Sequence, residues 1–316
     1  MRNQSFIFAC PRCGSPLISI SQNELSCSHD GELYRRIDGI WRFLLPETQS
    51  VFRQFIQEYE TVRKAEGRGS TDLAYYRALP FTDLNGKLSG AWRIRARSYR
   101  ALMAHVLPSL EDINRHPLQI LDLGAGNGWL SNRLSQSGHC LAAVDLTTNN
   151  FDGLGAHIHY ETSFTPLQAD FAQLPFVSDQ ADLAIFNASF HYAIRYEQAL
   201  QEALRVLADH GLVVIMDTPV YHSEASGNQM VRERETFFRQ KYGFPSNSLL
   251  SQNFLTYSRL EDLSHSLGIH WQMINPNFGL FWPIRRFLSR LRARREPASF
   301  PLLLGRIAEA KNQFFT

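Results

Sequence analysis

The sequence predicts an α/β protein built on a mostly parallel sheet, with a small cysteine-bearing module ahead of it. Three observations predict this. The stretch Ile120-Leu-Asp-Leu-Gly-Ala-Gly-Asn-Gly-Trp-Leu-Ser131 reads as the end of an apolar strand, a glycine turn and the opening of a helix. From Leu118 onward, apolar segments of about six residues alternate with helical ones, the signature of strands buried on both faces. Near the start, Cys10-Pro-Arg-Cys13 has the spacing of a metal-binding knuckle.

Composition bounds the reading. A chain of 316 residues holds one large domain and a smaller one. With 44% hydrophobic and 20% charged residues it has the make-up of an ordinary globular protein. A net charge of +2 creates no global field that calls for nucleic acid or membrane. No apolar run approaches the roughly 20 residues that span a bilayer. MRNQSFIFAC lacks the apolar core of a signal peptide. The four cysteines suit metal binding in a reducing compartment better than a disulfide framework. The cytoplasm is the expected location.

The spacing of the glycine turn points to its ligand. A dinucleotide fold uses G-x-G-x-x-G, with the pyrophosphate at the helix N-terminus. Here the order from Asp122 to Gly128 is D-x-G-x-G-x-G, and the strand-end carboxylate suits a cationic ligand instead. This motif resembles the first motif of class I S-adenosylmethionine (AdoMet) dependent methyltransferases. The resemblance implies a Rossmann-like fold with a seven-stranded, mostly parallel sheet, AdoMet as cofactor, and helices ahead of the first strand that serve as a lid.

Residues 1–48 form the expected first unit. The turn at Cys10 and Cys13 is answered by Cys27-Ser-His29-Asp30. The segment resembles zinc-ribbon-like modules that accompany or activate methyltransferases. Cys10, Cys13, Cys27, Tyr34, Ile37, Asp38, Gly39 and Ile40 match that pattern, while Asp30 replaces a cysteine and Trp41 a proline. A structural zinc held by Cys10, Cys13, Cys27 and either His29 or Asp30 is expected. The alternative is a metal-free ribbon packed on Leu17, Ile18, Ile20, Leu33, Ile37 and Ile40.

Residues 49–115 are expected to form a helical lid or linker, with Val51, Phe55, Tyr59 and Val62 at helical spacing. Tyr75, Tyr76 and Arg77 are candidates for substrate contact, although packing is the commoner role for such aromatics. Among Arg93, Arg95 and Arg97, one is a candidate for the cofactor carboxylate, a solvated face being the commoner outcome.

Residues 116–316 are expected to carry the catalytic fold. The strand Leu141 to Leu146 brings Asp145 to its end, about twenty residues after the turn, where a carboxylate accepts both ribose hydroxyls. The resemblance adds Gly124, Ala125, Gly126 and Leu146 to the cofactor set, places Asp170 and Phe171 at the adenine, and matches Leu174-Pro-Phe176 and the strand ending at Asn187. Ser189-Phe-His-Tyr192 resembles a segment of quinone-biosynthesis-type methyltransferases. That places His191 near the sulfonium, as a general base or as a packing residue, with Tyr192 beside it. Tyr221 and His222, after the strand ending at Asp217, are second-choice acid/base candidates.

Residues 223–260 are expected to form a cap over the acceptor, rich in Met230, Phe237, Phe238, Tyr242 and Phe244. A helix to Leu267, a strand from Ile269 to Ile274 and a last strand through Phe300 to Leu304 complete the sheet. Between them the basic helix 284–295 is either a weak membrane-surface or phosphate contact or a helix packed on its domain.

The expected activity is in-line methyl transfer from AdoMet to a small-molecule or lipid-linked acceptor, with proton removal by a nearby base. Two alternatives stand beside it. One is an RNA base methyltransferase, since some also begin with a zinc segment, although Asn187 opens no N-P-P-Y motif. The other is a non-catalytic AdoMet-binding protein.

Overall fold

The computed structural model describes residues 6–114, 117–279, 282 and 294–307. The chain opens with an antiparallel meander: β1 (Leu17–Ser21), β2 (Glu24–Cys27), β3 (Leu33–Ile37) and β4 (Ile40–Arg42). Four helices follow: α1 (Pro46–Ala65), α2 (Leu73–Ala78), α3 (Ser89–His105) and α4 (Leu107–Asn114). The alternating part then runs β5 (Gln119–Leu123), α5 (Trp129–Gln136), β6 (Cys140–Asp145), β7 (Thr165–Gln168), β8 (Ala181–Asn187), α6 (Tyr196–Val206) and β9 (Leu207–Met216). It ends with β10 (Val220–Tyr221), α7 (Glu224–Tyr242), β11 (Leu255–Thr256), α8 (Tyr257–Leu267), β12 (Ile269–Ile274) and β13 (Leu302–Ile307).

The central sheet has the order β7-β6-β5-β8-β9-β13-β12, with β13 antiparallel to both its neighbours. These are the seven expected strands. The order reverses direction between β5 and β8, which leaves a crevice beyond the carboxyl ends of the strands, where open α/β sheets bind ligands. β5 and β8 are buried throughout, as parallel strands covered on both faces must be.

The meander does not stand apart. β4 pairs in parallel with β7, Trp41 opposite Leu167 and Arg42 opposite Gln168, so one sheet of 11 strands runs from the ribbon to the far edge. Phe43, just after β4, donates its backbone N–H to Gln168 O at 2.8 Å. Aromatic packing seals the joint: Phe8 lies 5.2 Å from Phe43 and 5.8 Å from Phe176, ring to ring.

The expected apolar core of the ribbon needs correction. Ile40 is buried, but Ile18, Ile20, Leu33 and Ile37 are exposed. Strand alternation sends Leu25, Tyr34, Trp41 and Cys27 toward the sheet edge and the isoleucines outward. The ribbon packs through its aromatic side and its cysteines.

α1 begins at Pro46, whose missing N–H falls where a helix has no intrahelical partner to offer. Within the expected cap, α7 is capped by Ser223, whose side chain accepts from Ser226 N, and stops at Gly243 with φ 86°. The basic segment 284–295 lies outside the described residues up to 293. Arg295 is described, and it pairs with Glu233 on α7 at 2.9 Å. Among the described residues, no helix is long and apolar enough to cross a membrane.

Candidate active site

The glycine turn is shaped by close approach. Gly124 has φ +80°, and a Cβ there would lie 2.2 Å from Ser189 Cβ. Only glycine fits. Ser189 holds this approach by donating its hydroxyl to Leu123 O. Gly126 differs: a Cβ on it would meet only Asp152 O, at 3.6 Å, so its outer side is open to a ligand.

Asp145, at the end of β6, locks the turn. Its Oδ2 accepts the Gly126 N–H at 2.8 Å, and its Oδ1 accepts the N–H and hydroxyl of Thr147 at 2.8 and 2.7 Å. A carboxylate has about four acceptor positions, so about one remains for a ligand in the first cavity, which Asp145 lines. Asp170 accepts the Ala172 N–H at 2.9 Å, and burial raises its pKa. Phe171 packs edge-on against Phe186, their rings 5.5 Å apart.

Three adjoining cavities occupy the crevice. The first, about 250 Å³, is lined by Asp145, Leu146, Asp170, Phe171, Gly124 and, from α1, Phe52 and Phe55. The second, about 290 Å³, lies beneath α7 and shares Phe55, Tyr59, Ala188, Tyr192 and Leu249 with the first. A small third, about 50 Å³, runs along Gly124, Ala125, Gly126 and Asn127 to Asn187. Asn187 is buried, with its Oδ1 lacking any partner.

Compared with known families, residues 121–215 match the one described as a methyltransferase domain. Residues 121–215 carry a methyltransferase domain. Curated relatives share part of it. The malonyl-[acyl-carrier protein] O-methyltransferase of Buchnera aphidicola is 31% identical over 103 residues, 31% of this chain and 38% of that protein. The corresponding Coxiella burnetii protein is 27% identical over 115 residues, 36% of this chain and 39% of the relative. This chain thus spans well under half of those relatives' length. Among solved structures, the plantazolicin methyltransferase BpumL, in complex with S-adenosylhomocysteine, aligns with a TM-score of 0.47 at 15% identity, over 78% of this chain and 99% of that one.

Within the methyltransferase domain, Gly124, Asp145, Leu146, Asp170 and Phe171 line the first cavity, and Ala125, Gly126 and Asn187 the third. Asp122 does not reach the cleft. Strand alternation turns it toward α5, where it is fully buried and its Oδ2 accepts the Ser131 hydroxyl at 2.8 Å. Burial pushes its pKa up to about 7, against the lowering by Ser131, with the charge of Asp145 adding to the rise. Asp122 supports the turn from beneath and lines none of the three cavities.

His191 and Tyr192 reach the second cavity. Burial, together with the charges of Arg234, Arg63 and Arg95, pulls the His191 pKa down to about 3. Tyr221 and His222 are not in the cleft. Tyr221 is buried under Phe254, with Arg295 on its hydroxyl, and His222 is exposed and stacks on Tyr257. The short β10–β11 pairing turns both away from the crevice. Tyr75 and Tyr76 are packing residues: Tyr76 is buried, and its hydroxyl donates to Phe151 O at 2.9 Å.

In the ribbon, Cys10, Cys13, Cys27 and Asp30 bring ligand atoms within 4.8 Å of one another. Asp30 Oδ2 lies 3.1 Å from Cys10 Sγ, and Cys13 Sγ lies 3.4 Å from Cys27 Sγ. His29 is exposed and stands outside this set. Of the two alternatives for the fourth ligand, the fold brings in Asp30.

Several cavity residues carried no motif: Arg63 and Tyr59 on α1, Arg68 after it, and Arg234 on α7. Only the charge itself signals them in sequence, and a helical arginine usually faces water.

Proposed function

We propose that this chain transfers the methyl group of AdoMet to a small or carrier-linked acceptor. The observation that carries the reading is the glycine turn itself: Gly126 is open on its Cβ side, and its N–H is held by Asp145, a carboxylate with an acceptor position left over. AdoMet, when bound, supplies a methyl group activated by its sulfonium. Asp145 would hold the ribose hydroxyls, Asp170 and Phe171 the adenine, and the orphaned Asn187 Oδ1 would accept from the methionine end. Phe52 and Phe55 on α1 close the first cavity against water, which strengthens every polar contact inside.

His191, with its lowered pKa, is neutral at pH 7 and weakly basic. Its contribution is to orient the acceptor through a ring nitrogen, and the hydroxyl of Thr218, 3.4 Å from Nδ1, steadies the ring. The malonyl-carrier acceptor of the curated relatives is one instance of the acceptor class. The ribbon's Cys10, Cys13, Cys27 and Asp30 suit a structural zinc, whose sulfur ligands sit roughly 3.7 Å apart in a tetrahedral site. Free thiols for that site fit a cytoplasmic location.

Calorimetric titration with S-adenosylhomocysteine, and with NADH in parallel, tests the cofactor. Micromolar binding of the first and none of the second is expected. NADH binding alone would sink the reading. Elemental analysis should find one zinc per chain, lost in Cys10→Ser and kept in His29→Ala.

A further inference from the structure

Among the described residues, the lining of the second cavity carries more positive than negative side chains. Four arginines, Arg63, Arg68, Arg95 and Arg234, line it against two carboxylates, Glu66 and Asp217. Two of the four are already partnered. Arg68 pairs with Glu66 at 2.7 Å, and Arg63 faces Asp152 at 3.7 Å while lying over the Tyr59 ring. The other two are not. Arg95 rests on the Trp92 ring at 4.7 Å and has no hydrogen bond or ion pair among the described residues. Arg234 has its Nε buried without an acceptor.

A half-buried guanidinium without an acceptor loses part of its hydration uncompensated, so two such groups facing one cavity point to a missing anion. Asp217 does not fill the part. Its Oδ1 accepts the Ser98 hydroxyl at 2.6 Å, burial raises its pKa against the lowering by Ser98 and Arg95, and it makes no ion pair with either arginine among the described residues. Burial, with the charges of Arg68 and Arg63, lowers the pKa of Arg95 to about 10, against the raising by Asp217 and Asp152. The cofactor deepens the imbalance, since a sulfonium and an ammonium outweigh one carboxylate.

We propose that the acceptor is an anion, a carboxylate or phosphate compound, gripped by Arg234 with Arg95 at the inner end of the second cavity. This rests on the methyltransferase reading above and narrows it to a substrate class. Arg234 separates the acceptor from the cofactor: it lines the second cavity alone, whereas Arg95 also borders the glycine turn. Planar guanidinium forks match the paired oxygens of carboxylates and phosphates. An acceptor whose nucleophilic oxygen is already ionised also needs no base, which agrees with a weakly basic His191.

The test uses the full chain saturated with S-adenosylhomocysteine. Malonate, inorganic phosphate and the neutral analogue malonamide are titrated calorimetrically into wild type, Arg234→Met, Arg234→Lys and Arg95→Met. Saturable binding of malonate or phosphate, with none of malonamide, is expected. The anion that binds assigns the class. Arg234→Met should weaken it tenfold or more and Arg234→Lys less, with S-adenosylhomocysteine affinity unchanged in both, which also shows that they fold. If neither anion binds the loaded wild type, or if Arg234→Met binds as wild type does, the proposal is overturned. Unchanged anion affinity in Arg95→Met with weakened S-adenosylhomocysteine would remove Arg95 from the acceptor site. Failure of wild type to bind S-adenosylhomocysteine would instead strike the cofactor reading.

Discussion

The two ends of the crevice are built in different ways. At the proposed cofactor end the polar groups come from strand ends or the turns after them: Gly124 and Gly126 after β5, Asp145 on β6, Asp170 after β7, Asn187 on β8. The backbone there is tied down by hydrogen bonds, and positions are set by the sheet. At the proposed acceptor end much of the wall comes from α1, α3, α7 and the loop around Asn253, and buried polar atoms of Asp217, Arg234 and Ser251 have no hydrogen-bond partner among the described residues. A scaffold of fixed strand ends suits a constant ligand. Helix-borne side chains can change from one protein to another without disturbing the sheet, which is where acceptor identity would be expected to vary.

The sharpest way to break this division is at Asp145. Asp145→Ala removes the ribose acceptors and leaves the Gly126 N–H without a partner. S-adenosylhomocysteine affinity should fall about 100-fold, or ~3 kcal/mol, measured by calorimetry. Gly124→Ala tests the backbone. With positive φ and Ser189 at 2.2 Å from the new Cβ, it should destabilise the fold by about 2–3 kcal/mol in urea denaturation. An unchanged midpoint would mean the turn is looser than the contact implies.

Phe55 belongs to both cavities, so Phe55→Ala should weaken cofactor and anion alike, each by about tenfold. Loss of only one would redraw the boundary. At the acceptor end, Arg234→Met removes one of the charges that depress His191, so the His191 pKa should rise from about 3, read by histidine NMR. No movement would place Arg234 farther from the ring.

The smallest effect concerns the support beneath the turn. The Asp122 pKa is raised from 3.8 to about 7 on folding, so the native state binds more protons than the unfolded one between those values. Its contribution to stability therefore declines as pH rises through that window. Ser131→Ala removes the hydroxyl that favours the carboxylate. It should cost about 1.5 kcal/mol at pH 8 and less at pH 5, where the acid is already protonated.

Much of the cofactor end was legible because its chemistry is written at short sequence distance. Glycine spacing, a carboxylate at a strand end and apolar strands of regular length each have a local cause. Asp122 was misplaced as a ligand contact because the motif gives its type and not its direction, and the alternation of β5 turns it toward Ser131. Tyr221 and His222 were placed at the sheet edge by position alone, and the β10–β11 pairing carries them off it. The ribbon was readable as a knuckle, but choosing Asp30 over its neighbour His29 needed the turn geometry. The isoleucines of β1 and β3 looked like a core because the opposite face is buried in a cluster that includes Leu174 and Phe176, more than a hundred residues on. Of the arginines in the second cavity, Arg95 was singled out from the sequence, as a cofactor candidate, while Arg63, Arg68 and Arg234 were not, because α1, α3 and α7 meet only in the fold.

The most direct measurement is a paired titration of S-adenosylhomocysteine into Asp145→Ala and Arg234→Met beside wild type. The division of the crevice predicts that binding is nearly lost in the first and unchanged in the second. Equal losses in both, or loss only in Arg234→Met, would contradict it and move the cofactor to the acceptor end.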